Sequence, residues 1–149
     1  MDDTVSGSGN DELGMVAVEA GLDVLLEACD KAVEELEGTV PGGQLRALLI
    51  IDRAGSISLG RLAGKLGASA SATSRLCDRL EAASLLTKIR AAGSRREIAW
   101  HATEAGRRLA AWIRERRRAA ISAVLGSMRR AEARDALAGG LRELAAGAG

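Results

Sequence analysis

The chain of 149 residues is predicted to be mainly α-helical with one small β-hairpin, and three observations lead there. Apolar residues recur at helical spacing along most of its length. The period changes to a strand-like one only between Leu85 and His101. Trp100 and Trp112 are the only Trp, Tyr or Phe residues, so a core must be built from Leu, Ile, Val and Ala, which suits closely packed helices better than a sheet sandwich. With 47 % hydrophobic residues, one sizeable core and one compact domain are expected.

Residues 1–10 are acidic, Gly/Ser-rich and poor in apolar residues, the composition of a disordered tail. They carry neither the basic start nor the apolar run of a secretory signal. Leu22, Leu25, Leu26, Cys29, Val33 and Leu36 then form one apolar stripe, predicting a helix over 11–37 that stops at Gly38. The turn 38–43 holds the only proline, Pro41, and leads to a second helix whose apolar run, Leu45 and Ala47 to Ile51, is too continuous for a surface helix. Ile57 can add a short strand, and Ser58 stands where a helix cap is needed. Leu59, Leu62, Ala63 and Leu66 mark about two turns of helix ended by Gly67.

Ser69 or Ser71 caps the next helix, in which Ala72, Leu76 and Leu80 are expected to form the buried line and Ser71, Ser74, Arg75 and Asp78 to face away. Two helices joined by a short Gly-containing turn, the second with a small and polar outer face, describe a helix-turn-helix. Leu85–Arg90 and Glu97–His101 read as two strands joined by a basic tip, 91–96. Thr103 caps a long helix carrying Leu109, Ile113, Ile121 and Leu125, and 129–146 gives a final helix.

Charge is divided unevenly along the chain. Residues 1–37 hold eleven acids and one base, residues 38–101 ten bases and four acids, and residues 102–149 ten bases and five acids. An acidic front and a basic middle are what a nucleic-acid binder needs, because Lys and Arg must gather where phosphates lie. No stretch approaches the roughly 18 to 20 apolar residues of a membrane span. Two cysteines far apart in sequence fit a reducing cytoplasm, where the chain is expected to reside.

Several segments resemble the MarR family of winged helix-turn-helix regulators. Gln44-Leu45-Arg46-Ala47-Leu48-Leu49 is similar to that family's second helix, and Leu62-Ala63-Gly64-Lys65-Leu66 to its third. Thr73-Ser74-Arg75-Leu76-Cys77-Asp78-Arg79-Leu80-Glu81 resembles the recognition helix, and Arg95-Arg96 followed by Thr103-Glu104-Ala105-Gly106 resembles the wing and the start of the long helix. The chain departs from the pattern at Ser94, where an Asp is usual, at Ser84-Leu85-Leu86 for Gly-Leu-Val, and at Ala102 for Leu.

The resemblance implies a winged helix-turn-helix over 38–101, flanked by dimerisation helices at 11–37 and 102–146. It implies a homodimeric repressor or activator that binds double-stranded DNA at a palindromic operator. A small-molecule effector is common in the family, though this chain lacks the aromatic residues expected around a phenolic ligand. For DNA binding, small or polar outward residues must enter a major groove about 12 Å wide. Ser69, Ser71, Thr73, Ser74 and Arg75 are the candidates on the recognition helix, Lys88 and Arg90 the phosphate neighbours on the wing strand, and Arg95 and Arg96 the minor-groove residues. Asp78 and Arg79 are assigned to ion pairing within the domain.

Other chemistry finds little support. His101 is the only histidine, so no multi-histidine metal site can form, and no nucleophile, base and acid can be assembled around it. Walker and Rossmann patterns are absent. An enzyme is therefore not expected, nor a cofactor. Cys29 and Cys77 are expected to pack as small hydrophobes. The competing function is a winged-helix protein-interaction module without specific DNA binding, its acidic first helix docking a basic partner.

Overall fold

Leu45, Ala47, Leu48 and Ile51, spaced along a single helix, are each less than 3 % exposed, and the principal core is built around them. The structure, a computed structural model, describes residues 6–36, 40–90 and 98–147. Among these residues it contains six α-helices and three strands. They are α1 (Ser6–Lys31), α2 (Gly42–Ala54), β1 (Ser56–Ser58), α3 (Leu59–Leu66), α4 (Ala70–Ala82), β2 (Leu86–Arg90), β3 (Ile98–Ala102), α5 (Glu104–Gly126) and α6 (Ala131–Gly147).

The helices and strands group into two compact units, Val33–Glu115 and Met1–Ala32 with Arg116–Gly149. This division differs from the expected boundaries at both ends. The stripe that predicted one helix through residue 37 breaks after Lys31, because Val33 and Val40 turn into the core of the first unit. A 3-10 turn at Glu34–Leu36 makes that bend, with Val40 N donating to Leu36 O at 2.7 Å. The long helix does not form a unit from its start, since Gly106, Ala110 and Ile113 pack into the same core. At the front, α1 begins at Ser6, within the stretch read as a tail; residues 1–5 and the expected stop at Gly38 lie outside the described residues.

In the unit Val33–Glu115, α2 lies against α3, α4 and the sheet. The sheet has the order β1-β3-β2, antiparallel throughout, with Ile57 opposite Trp100 and Lys88 also opposite Trp100. Because side chains alternate across a strand, Leu86, Lys88 and Arg90 share one face of β2. Leu86 and Trp100 are buried in the core, whereas Trp112 on α5 is 36 % exposed. Gly67 ends α3 in the left-handed conformation (φ 64°), as its place in the sequence predicted. Ser58 stands at the N-cap of α3, but its side chain makes no capping hydrogen bond. Ile57 forms the expected short strand.

The second unit holds α1, the later turns of α5, and α6. Arg116 Nε donates to Ala32 O at 3.3 Å. On α1, Met15, Val16, Val18, Leu22, Val24 and Leu26 are each more than half exposed, and on α6 Leu137, Leu141 and Leu144 are exposed as well. Cys29 is half-buried at the edge of the α1 stripe. No helix among the described residues is long and apolar enough to cross a membrane.

Candidate nucleic-acid interface

The helix-turn-helix is α3, the turn Gly67-Ala68-Ser69, and α4. Ser69 Oγ accepts a hydrogen bond from Ala72 N at 3.2 Å and lies 3.2 Å from Ser71 Oγ, so the cap satisfies a backbone donor that the first helical turn leaves free. Behind the cap, Thr73 Oγ1 donates to Ser69 O at 2.9 Å.

That bond explains a correction. Thr73 was expected among the outward residues, yet it is fully buried. Its methyl group packs inward while its hydroxyl is satisfied by its own helix, and it is removed from any DNA-facing set. The buried line is Thr73, Cys77 and Leu80, one position out of phase with the expected Ala72, Leu76 and Leu80, of which only Leu80 is fully buried. Burial pushes the Cys77 thiol up to about 11, helped by the neighbouring Asp78 carboxylate.

The opposite face of α4 remains polar. Ser71, Arg75, Asp78 and Arg79 are exposed at helical spacing, and Ser74 is half-buried with its hydroxyl 3.5 Å from Asp78 Oδ2. The first turn carries no acid, so the partial positive charge of the helix N-terminus and the Arg75 guanidinium act together toward an anion.

Lys88 and Arg90 extend from β2. Arg90 is exposed at the strand's end. Lys88 is engaged: Nζ lies 2.7 Å from Glu81 Oε2 and 3.9 Å from Asp78 Oδ1, and 4.6 Å from the centre of the Trp100 ring. The hydrogen bond to Glu81 holds the Lys88 ammonium above the usual lysine range. Reading the sequence identified Asp78 as an ion-pairing residue but missed Glu81 and Trp100, since neither is near Lys88 in sequence; the alternation from buried Leu86 was the one available sign. Arg95 and Arg96, with the rest of the tip, lie outside the described residues.

Two hydrogen-bonded joints hold this frame. Thr103 caps α5 by accepting from Gly106 N at 3.0 Å, and its hydroxyl donates to Ser84 O at 2.7 Å, joining the start of α5 to the link between α4 and β2. His101, at the end of β3, places Nδ1 2.6 Å from Gly55 O and Nε2 3.3 Å from Arg107 Nη1. With Nδ1 donating to the carbonyl and Nε2 accepting from the guanidinium, both ring nitrogens serve the fold. Among the described residues no group of three or more His, Cys, Asp or Glu is placed to hold a metal ion.

The model of the MarR family matches residues 42–98. No curated protein matches the sequence. Among solved structures the chain is similar to RV1404 from Mycobacterium tuberculosis, with 28 % identity and a TM-score of 0.76, covering 97 % of this chain and 94 % of that one. It shares its fold with a MarR family protein from Bacillus stearothermophilus, at 22 % identity and a TM-score of 0.70 over 97 % and 95 % of the two chains. It also shares its fold with FabT of Streptococcus pneumoniae, solved in complex with DNA, at 16 % identity and a TM-score of 0.66 over 91 % and 94 %. The MarR family's pattern runs from α2 to the first residue of β3, and the winged-helix fold of the MarR family structure from Bacillus stearothermophilus spans nearly the whole chain.

Proposed function

We propose that this chain is a cytoplasmic transcriptional regulator, not an enzyme, that binds double-stranded DNA as a homodimer and reads a palindromic operator. The observation that carries the reading is the outer face of α4, small and polar near its N-terminus, with Arg75 exposed and no acid in the first turn. Such a helix end can enter a major groove and meet phosphates and base edges. The DNA complex of the FabT neighbour supports this use of the fold. Ser69, Ser71, Ser74 and Arg75 are assigned to the recognition helix's approach, and Arg90, Arg95 and Arg96 to the hairpin's.

The dimer rests on apolar surface. Exposed Leu22, Leu26, Leu137 and Leu141 exceed what a monomer leaves in water without reason. Sedimentation at micromolar concentration should give twice the chain mass of 15.4 kDa. A well-folded monomer would remove both the dimer and the palindrome.

DNA binding is tested by mobility shift on a duplex selected by the protein from a random-sequence pool, at two salt concentrations. Affinity should fall steeply with salt. Arg75→Ala should cost about 1–3 kcal/mol per half-site and relax preference at one base pair, whereas Arg95→Ala should weaken binding to many sequences alike and lower the salt slope by about one unit for each phosphate it no longer neutralises. If neither variant changes affinity twofold, DNA binding by this face is wrong and a protein-interaction module takes its place.

A further inference from the structure

Lys88 stands on the face that the DNA-binding reading assigns to contact, but its charge is directed inward. Its stem follows Leu86 on the core side of β2, and its ammonium meets two carboxylates one helical turn apart on α4, Asp78 and Glu81, above the face of the buried Trp100 ring. To reach a phosphate it would have to leave a 2.7 Å hydrogen bond and the indole. One ammonium between two turns of a helix and a ring on a neighbouring strand defines both the rotation and the axial position of α4 against β2.

We propose that Lys88 is a positioning residue: it sets the hairpin strand β2 against the recognition helix α4 and does not itself contact DNA. The assignment rests on the DNA-binding reading above. The side chains of Lys88, Glu81 and Asp78 are 44 %, 37 % and 57 % exposed, so each ion pair alone adds little to stability. Their effect is geometric, because the residues of α4 and of the hairpin must reach one duplex together.

The test uses the full-length chain and its pool-selected duplex, at a temperature well below every variant's unfolding transition, so that lost stability alone does not move affinity. Lys88→Met and Glu81→Ala should each weaken binding by about three- to tenfold, the range expected from one exposed ion pair with a cation–π contact. The double variant should bind no more weakly than the worse single one, since both remove the same link. Lys88→Arg, which can still pair and stack, should bind within about twofold of wild type. The salt slope of Lys88→Met should equal that of wild type.

A direct bond from Lys88 to a phosphate gives the opposite pattern. Lys88→Met would then lower the salt slope by about one unit for each phosphate left without its cation and cost as much without Glu81 as with it, while Glu81→Ala would tighten binding. Any of these results overturns the assignment and leaves the DNA-binding reading standing. A wild-type chain that selects no duplex overturns both.

Discussion

The carbonyl oxygen of Leu85 stands where Gly106 would carry a side chain: a β-carbon there would overlap that oxygen and lie 3.3 Å from Leu48 Cδ1. The same oxygen accepts from Thr103 N at 3.1 Å, so it cannot swing aside without breaking the joint between the α4–β2 link and α5. Gly106→Ala should lower stability by about 1–3 kcal/mol, read from the midpoint of urea denaturation. A change below about 0.5 kcal/mol would show that the link yields freely.

Ser84 has φ of 60°, a left-handed conformation in which an L side chain is strained. Its amide donates to Glu81 O at 2.8 Å and the Leu85 amide to Leu80 O at 2.9 Å, the paired bonds of a helix end that favours glycine. Ser84→Gly should raise stability by about 0.5–1 kcal/mol, because the greater unfolded-chain entropy of glycine offsets only part of the relieved strain. Calorimetry should show a melting temperature higher by a few degrees; an unchanged or lower one would mean that the Ser84 side chain compensates the strain.

Much of this frame was legible in sequence where the determinants are local. Gly67 and Thr103 stand at the helix ends they were expected to occupy, and of the two cap candidates Ser69 and Ser71 it is Ser69 that caps α4. In each case the capping bond joins residues within four positions. Thr73 was misread because its hydroxyl suggests solvent, while a bond to Ser69 O lets it be buried without cost. The bend at Val33 was hidden because Val33 and Leu36 continue the helical stripe of α1, and only the distant core of α2 and α5 decides where they go. Glu81, Trp100 and Lys88 meet through strand pairing, which no spacing along one element encodes.

Arg114 Nη2 meets Asp52 Oδ2 at 2.5 Å, with the aspartate side chain 13 % exposed and the arginine 34 %. Removing one partner should cost more than removing both, since a half-buried charge is then left without its counter-ion. Asp52→Ala should destabilise by about 1–3 kcal/mol, and adding Arg114→Met should recover part of that loss. Purely additive effects in chemical denaturation would show that the pair is solvated.

The buried Cys77 thiol is held protonated to about 11, against an ordinary value of 9.0. The folded chain therefore binds this proton more tightly than the unfolded one. Its contribution to stability is complete below about pH 9 and declines as pH rises toward about 11. Alkylation by iodoacetamide at pH 8 should spare Cys77 in the native protein and modify it only after unfolding. Prompt native labelling of Cys77, located by peptide mapping, would contradict its burial.

Because Trp100 is sealed in the core beneath Lys88 while Trp112 is partly open to solvent, the protein carries two optical probes of different character and no tyrosine to obscure them. Ultraviolet excitation interrogates only these two indoles. Replacing either with phenylalanine leaves a single emitter, one reporting on the packing of the hairpin against α4 and the other on the surface of α5. Events at the two places can thus be timed separately, without attaching a dye to a basic surface whose charge is the property of interest.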